Sequence, residues 1–439
     1  MTHTAANHLE MSRRSMIVAG FSTVVEWYDF TLYLYFATVL SRVFFGGGEG
    51  ALITTFAGFA VAYLLRPLGA VVFGHIGDRF GRRSMMLLSM ALMSLAMLTT
   101  ALLPTYTAIG DAAGWLLLAL RCAMGFSVGG EYTAVVAYLL EGSPVHQRGL
   151  ITSCASAASE IGALLAVGVS ALTVRALSEA DLASWGWRVP FLVGAALAGA
   201  VWLARSTMQE SPEFERQRKA GTAPQQPLRH TLEHHRLAIF RAFAISALGS
   251  ITYYLGITYV PAFLTSVGTL TEERALWLST VAAVVVVVVT PIVGAFSDRW
   301  GRKPVLMGLS LLSAILPITL FSLMATASQL LALLAAVVLA GLAGAVSAVG
   351  AVATAEQFPG EGRLTGLALG ATGATAIFGG LTPFLAQLLV ARSGWPLVPG
   401  AMIAVVALAV LPVLFRAPET RPQLHAGSRT GRRDEIRSR

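Results

Sequence analysis

The sequence predicts an all-α integral membrane protein that crosses the bilayer twelve times in two related six-helix halves. Three observations carry this. Of 439 residues, 55% are hydrophobic and only 12% charged, with mean hydropathy +0.69. A soluble domain carries roughly 25% charged residues, so this chain has too little polar surface to wet a body of its size. Apolar runs long enough for roughly 30 Å of hydrocarbon recur along the chain. One motif also occurs twice: residues 74–83 read GHIGDRFGRR, and residues 294–303, 220 residues later, read GAFSDRWGRK.

The apolar runs fall at 16–40, 51–74, 84–103, 115–140, 150–174 and 187–205 in the first half. After a polar break at 206–236 they resume at 238–265, 275–297, 304–325, 329–355, 365–391 and 395–415. The first run is a retained helix and not a cleavable signal peptide, because Glu26 and Asp29 interrupt it and no small-residue cleavage site follows. With the N-terminus inside, the inside segments hold 22 Lys and Arg residues against 5 outside (Arg42, Arg175, Arg188, Arg274 and Arg392). Cytoplasmic loops carry the basic excess, which places both termini in the cytoplasm. The net charge of +8 and the pI near 9.9 therefore express topology, not nucleic-acid binding. Cys122 and Cys154 both lie in apolar runs and read as small buried hydrophobes.

A second echo supports the duplication. Glu141, Pro144 and Arg148, after the fourth run, recur as Glu356, Pro359 and Arg363 after the tenth. The expected organisation is a cytoplasmic tail at 1–15, a bundle at 16–205, a cytoplasmic linker at 206–236, a second bundle at 237–416 and a basic tail at 417–439. Parallel halves with a ligand site between them at mid-depth form a transporter architecture.

Further strings sharpen the reading: EWYDF at 26–30, RPLG at 66–69, GFSVGGEY at 125–132, WGWRVPF at 185–191 and ESPEF at 210–214. With the duplicated DRxGRR loop they resemble the major facilitator superfamily, and within it the metabolite:proton symporters, which include 2-oxoglutarate, citrate, shikimate and proline/glycine-betaine permeases. The resemblance runs from about residue 13 to 416. It implies the major facilitator fold and, for the repeated loop, a gate that pairs across the two bundles and stabilises the outward-open state. Gly74, Gly77 and Gly81 are expected to allow the backbone reversal there. Gly74, Asp78, Arg79, Gly81, Arg82 and Arg83, with Asp298, Arg299 and Arg302 in the second copy, are the expected gating residues, and Arg66 joins them.

Charges inside apolar runs are costly and call for a reason. Glu26 and Asp29 share a face of the first span at i, i+3 spacing. Arg66 lies in the second span, Arg121 and Glu131 in the fourth, and Glu160 in the fifth. Glu26, Asp29, Arg121 and Glu131 are the expected proton-coupling set, because a proton on a carboxylate paired with Arg121 would free that guanidinium for a substrate carboxylate. A helix-packing role for these charges, and interhelical hydrogen bonding for Glu131, stay open. Arg121, Tyr253, Tyr254 and Glu160 are the expected substrate contacts, with Gly379, Gly380, Thr382 and Pro383 in the eleventh span as a possible helix break.

The chain has no GxxxxGK[ST] phosphate loop and no clustered Cys/His metal signature, so ATP drive, metal and cofactor are not expected and a proton gradient is the energy source. No nucleophile–base pair points to an enzyme. The fifth span lacks the Gly-Pro pair of the superfamily's drug antiporters, which favours uptake. The expected function is proton-coupled import of a small organic acid, such as 2-oxoglutarate or citrate, by a monomer in a bacterial inner membrane. The alternative is a proline or glycine-betaine symporter, which the short basic tail disfavours.

Overall fold

The computed structural model describes residues 11–47, 49–267, 272–326 and 328–421. Most of the expected basic tail, and residues 1–10 of the N-terminal one, lie outside them. Twelve helical spans, with no strand among the described residues, form the fold. They are α1 (Arg13–Tyr35), α2 (Gly50–Phe80), α3 (Arg82–Leu102), α4 (Ala112–Gly142), α5 (Val145–Ala176), α6 (Arg188–Ser206), α7 (Arg236–Thr258), α8 (Trp277–Trp300), α9 (Arg302–Thr326), α10 (Gln329–Ala355), α11 (Arg363–Ser393) and α12 (Val398–Arg416). Eleven are apolar enough to count as membrane spans on hydropathy, and α1 is the twelfth, made less apolar by Glu26 and Asp29. Ser12 caps the start of α1, which breaks at Phe36 and continues as Ala37–Phe45 before Gly46 ends it at φ +76°.

Large apolar side chains such as Leu95, Leu172, Ile292, Ile315 and Val405 are exposed around the bundle. That is the surface of a body solvated by lipid, where helices satisfy their own backbone groups. Both cysteines correct the expectation of burial: Cys154 is exposed and Cys122 half-buried, because their positions on α5 and α4 face away from the helix contacts. Small residues set the tightest packing. At the α2–α4 crossing a side chain on Gly69, Gly125 or Gly129 would run into the backbone of Phe126, Ala62 or Arg66 respectively.

The spans run longer than the apolar pattern at the end of the bundle that carries the termini. The DRxGRR segment, expected as a loop, is mostly helix: Asp78 and Arg79 end α2, Arg82 opens α3, and Gly81 alone makes the turn at φ +107°. Gly301 does the same between α8 and α9 at φ +103°. Gly74 and Gly77 therefore do not provide the reversal. They lie in α2 where α11 passes: a Cβ on Gly74 would sit 3.1 Å from the Leu364 carbonyl and from Thr365 Cα, and one on Gly77 would strike the Leu364 side chain. The polar break holds two short helices, Pro212–Ala220 and Pro227–His234, both opened by proline at a position where a missing N–H costs nothing.

Candidate functional site

A cavity of about 170 Å³ lies at mid-depth between the halves. From the first half, α1 contributes Glu26 and Trp27, α2 Tyr63 and Arg66, and α4 Tyr132. The second half answers with Tyr253 and Tyr254 on α7 and with hydroxyls, among them Ser250, Ser347, Thr354 and Thr375. The part of α11 expected as a helix break, and part of α7, take wider helical turns. Residues Tyr254–Thr258 in α7, and Ala368–Thr372 and Ala376–Gly380 in α11, are π-helical. Such turns frequently mark functional sites.

The ionisable groups fall into four arrangements. Arg66 stands in the cavity wall, away from the gating residues with which it was expected, with its guanidinium 4.9 Å from both the Phe30 and Tyr63 ring centroids. Its nearest carboxylate oxygen, Oε1 of Glu26, is 3.8 Å away. Glu26 is 2% exposed, and its Oε2 has no partner. Arg121 is held by Asp29 through two bonds, Nη1 to Oδ2 at 2.8 Å and Nη2 to Oδ1 at 3.2 Å. That pair lines a smaller cavity of about 30 Å³ whose wall also contains Glu26, Tyr63 and Arg66, so the two chambers adjoin. Arg121, expected to touch substrate, is thus one layer behind the larger cavity. The bidentate geometry offsets the cost of burying both charges.

Glu131 is fully buried and hydrogen-bonded to Ser22, Ser89 and Arg205, which is the interhelical role left open above. Arg205 escaped the sequence reading because it sits at the end of the sixth run, where a base looks interfacial. The lone arginine in AVWLARS was the available signal. Glu160 on α5 accepts the hydroxyl of Tyr253 on α7, and the Tyr63 and Tyr254 hydroxyls meet at 2.7 Å. Both contacts cross from one half to the other.

At the terminal end the duplicated motifs face each other reciprocally. The Asp78 carboxylate accepts the N–H groups of Leu364 (3.2 Å) and Thr365 (2.8 Å) at the start of α11. Asp298 accepts those of Gly149 (2.8 Å) and Leu150 (2.9 Å) at the start of α5. A helix N-terminus favours a carboxylate through both its free N–H groups and its dipole. Arg82 grips Glu141 at 3.1 and 3.2 Å, as Arg302 grips Glu356 at 3.2 and 3.3 Å. Two carboxylates that the sequence reading passed over cap the next helices: Glu210 receives the Arg82 and Arg83 N–H groups, and Glu419 those of Arg302 and Lys303. The likeness of residues 210–212 (ESP) to 419–421 (ETR) was their faint signature. Two bonds across the halves break the symmetry: Arg363 reaches Glu141 at 2.6 Å and Arg82 the Gly360 carbonyl at 2.8 Å, whereas their counterparts Arg148 and Arg302 make no such bonds among the described residues. Arg83 bonds the Ser206 carbonyl, while Arg79 and Arg299 are exposed and stand outside this network.

In sequence and in fold the chain is similar to known membrane transporters. The sequence profile of "Sugar (and other) transporter" matches residues 15–223, and that of "Major Facilitator Superfamily" matches 268–437. The chain is 32% identical to the alpha-ketoglutarate permease of Escherichia coli (strain K12), covering 88% of this chain and 91% of that one. It is 30% identical to the proline/betaine transporter of the same strain, covering 90% and 81%. It is also 30% identical to the citrate-proton symporter of Klebsiella pneumoniae, covering 88% and 87%. Among solved structures, the proton:xylose symporter XylE bound to 6-bromo-6-deoxy-D-glucose superposes with a TM-score of 0.76 at 22% identity, over 93% of this chain and 96% of that one. The last likeness concerns the fold alone.

Proposed function

The chain belongs to the major facilitator superfamily, as a membrane transporter of the proton-coupled type and not an enzyme, and on that premise we propose that it imports a small organic acid together with protons. The moving bodies are residues 16–205 and 237–416, tied by the linker at 206–236. By the distribution of basic residues the termini are cytoplasmic, in the inner membrane of a bacterium, and the protein works as a monomer. The reciprocal network then closes the cytoplasmic side.

The observation that carries this reading is the Asp29–Arg121 pair set against the central cavity through Glu26 and Arg66. Arg66 seats the carboxylate of the solute with donors that no protein carboxylate holds within hydrogen-bond distance. A proton on Asp29 cancels the charge that holds Arg121, and the released guanidinium draws the second layer toward the loaded cavity. Substrate and proton thereby bias the same two-state equilibrium, which is the thermodynamic content of coupling. Glu160 carries a proton or bonds Tyr253 according to the position of the halves. The test is uptake into liposomes: an acid pulse outside should drive accumulation of the transported acid, and a protonophore should abolish it. Equal accumulation with and without the gradient would falsify coupling.

A second reading, a proline or betaine symporter, has one specific observation in its favour. Trp27, Tyr63, Tyr132, Tyr253 and Tyr254 all line the cavity, with Trp27 and Tyr253 centroids 5.7 Å apart. Aromatic faces attract an onium group. Uptake of glycine betaine and not of organic acids under the same acid pulse would select it.

A further inference from the structure

We infer that the central cavity is specific for a solute bearing a single carboxylate, seated on Arg66, with its body held against aromatic rings. The inference rests on the transport reading above and narrows its substrate. It begins with the supply of positive charge. Among the residues lining the larger cavity, Arg66 is the one cation and Glu26 the one anion. The Arg66 guanidinium lies 4.9 Å from both the Phe30 and Tyr63 ring centroids, and its nearest carboxylate oxygen stands 3.8 Å away, beyond hydrogen-bond reach, so no protein carboxylate fills its fork. Such a fork binds one carboxylate bidentately.

A second carboxylate finds nothing comparable. Both terminal nitrogens of Arg121 are spent on Asp29, and the pair lies outside the larger cavity. The wall from the second half carries hydroxyls and small apolar groups and no ionisable side chain except the tyrosines. The Tyr253 hydroxyl donates its hydrogen bond to Glu160, so it has no donor left for an incoming anion. Oε1 of Glu26 stands 3.8 Å from the Arg66 guanidinium and competes for it with any further carboxylate. Like charges brought together in a desolvated site are strongly disfavoured. What the cavity does offer beyond Arg66 is ring surface from Trp27, Tyr132 and Tyr253, which suits a compact apolar or onium body. The volume, room for on the order of ten water molecules, matches a small solute of that kind.

The experiment measures thermal stabilisation of the purified full-length protein by shikimate and glycine betaine (one carboxylate), 2-oxoglutarate (two) and citrate (three), at equal ionic strength, alongside liposome uptake of each. The expected result is that a one-carboxylate probe binds about tenfold or more tightly than 2-oxoglutarate and citrate, about 1.4 kcal/mol. Arg66→Gln should remove that stabilisation, and Arg66→Lys, which keeps the charge but not the fork, should restore part of it. Should Arg66→Gln fail to fold, Glu26→Gln serves instead: removing the competing carboxyl group beside Arg66 should narrow the gap between the two classes by raising affinity for 2-oxoglutarate. Tighter or equal binding of 2-oxoglutarate or citrate by the parent protein overturns the one-carboxylate inference while leaving transport standing. Silence across all four probes in both assays overturns the transport reading, and this inference with it.

Discussion

Replacing Asp78 and Asp298 by asparagine should open the terminal end of the molecule, and the size of the effect follows from the geometry. Each carboxylate accepts two N–H groups from the other half, at 2.8 to 3.2 Å. Asparagine keeps one acceptor oxygen and turns an NH₂ group toward the second N–H, so one charge-assisted bond per site is lost. Such a bond contributes about 1.5–3 kcal/mol, which shifts the ratio of open to closed forms roughly 10- to 150-fold per substitution. The two sites share no hydrogen-bond partner and their effects should add in free energy, giving a combined loss of about 3–6 kcal/mol. Spin labels introduced by Arg79→Cys on α2 and Arg299→Cys on α8, in a background lacking Cys122 and Cys154, would read the opening, because both arginines are exposed and outside the network. The long-distance population should grow with each substitution and dominate in the double variant. A double variant whose distance distribution matches the parent would show that these carboxylates do not hold the halves together.

The other expectations concern coupling, packing and the linker. Asp29→Asn should leave a folded protein that exchanges substrate across liposome membranes but no longer accumulates it under an acid pulse, and unchanged accumulation would remove Asp29 from the proton path. Gly129→Ala places a methyl group against the Arg66 backbone and should destabilise by about 1–3 kcal/mol, read as a lower melting temperature together with weaker substrate binding. Burial first, then the neighbouring His230 and His234, hold the His235 imidazole below its usual range, against an opposing pull from Glu361. A depressed value means that its stabilising contribution is complete above the ordinary imidazole range and fades as pH falls through the depressed one. Hydrogen-exchange protection factors in residues 227–235, with the intrinsic pH dependence of exchange removed, should therefore fall on acidification, and His235→Gln should flatten that response.

The parts legible in the sequence were those that stand out against an apolar background. Glu26, Asp29, Arg66 and Arg121 are charges in long hydrophobic runs, so their importance could be read without coordinates, as could the repeat of 74–83 at 294–303. Partnership was not legible. That Asp29 and not Glu26 holds Arg121, or that Arg66 lies in the cavity and not at the gate, depends on helix rotation, which shared spacing leaves open. Glu210 and Glu419 lie in polar segments where acids are unremarkable, and only the bound N–H groups of α3 and α9 reveal their task. Gly74 and Gly77 were misread for a related reason. A glycine that permits close approach and one that permits a reversal look alike in a string of letters, and only Gly81 has the positive φ.

The one-residue corners at Gly81 and Gly301 carry a mechanical consequence. A loop of several residues would absorb strain, letting Asp78 or Asp298 detach while its helices stayed still. Here a single glycine joins α2 to α3 and the Asp78–Arg82 ion pair ties the corner, as Gly301 and the Asp298–Arg302 pair do between α8 and α9. Any force on the acidic corner is delivered as torque to an entire half of the molecule, so the corners act as levers, and the machine turns as a whole or not at all.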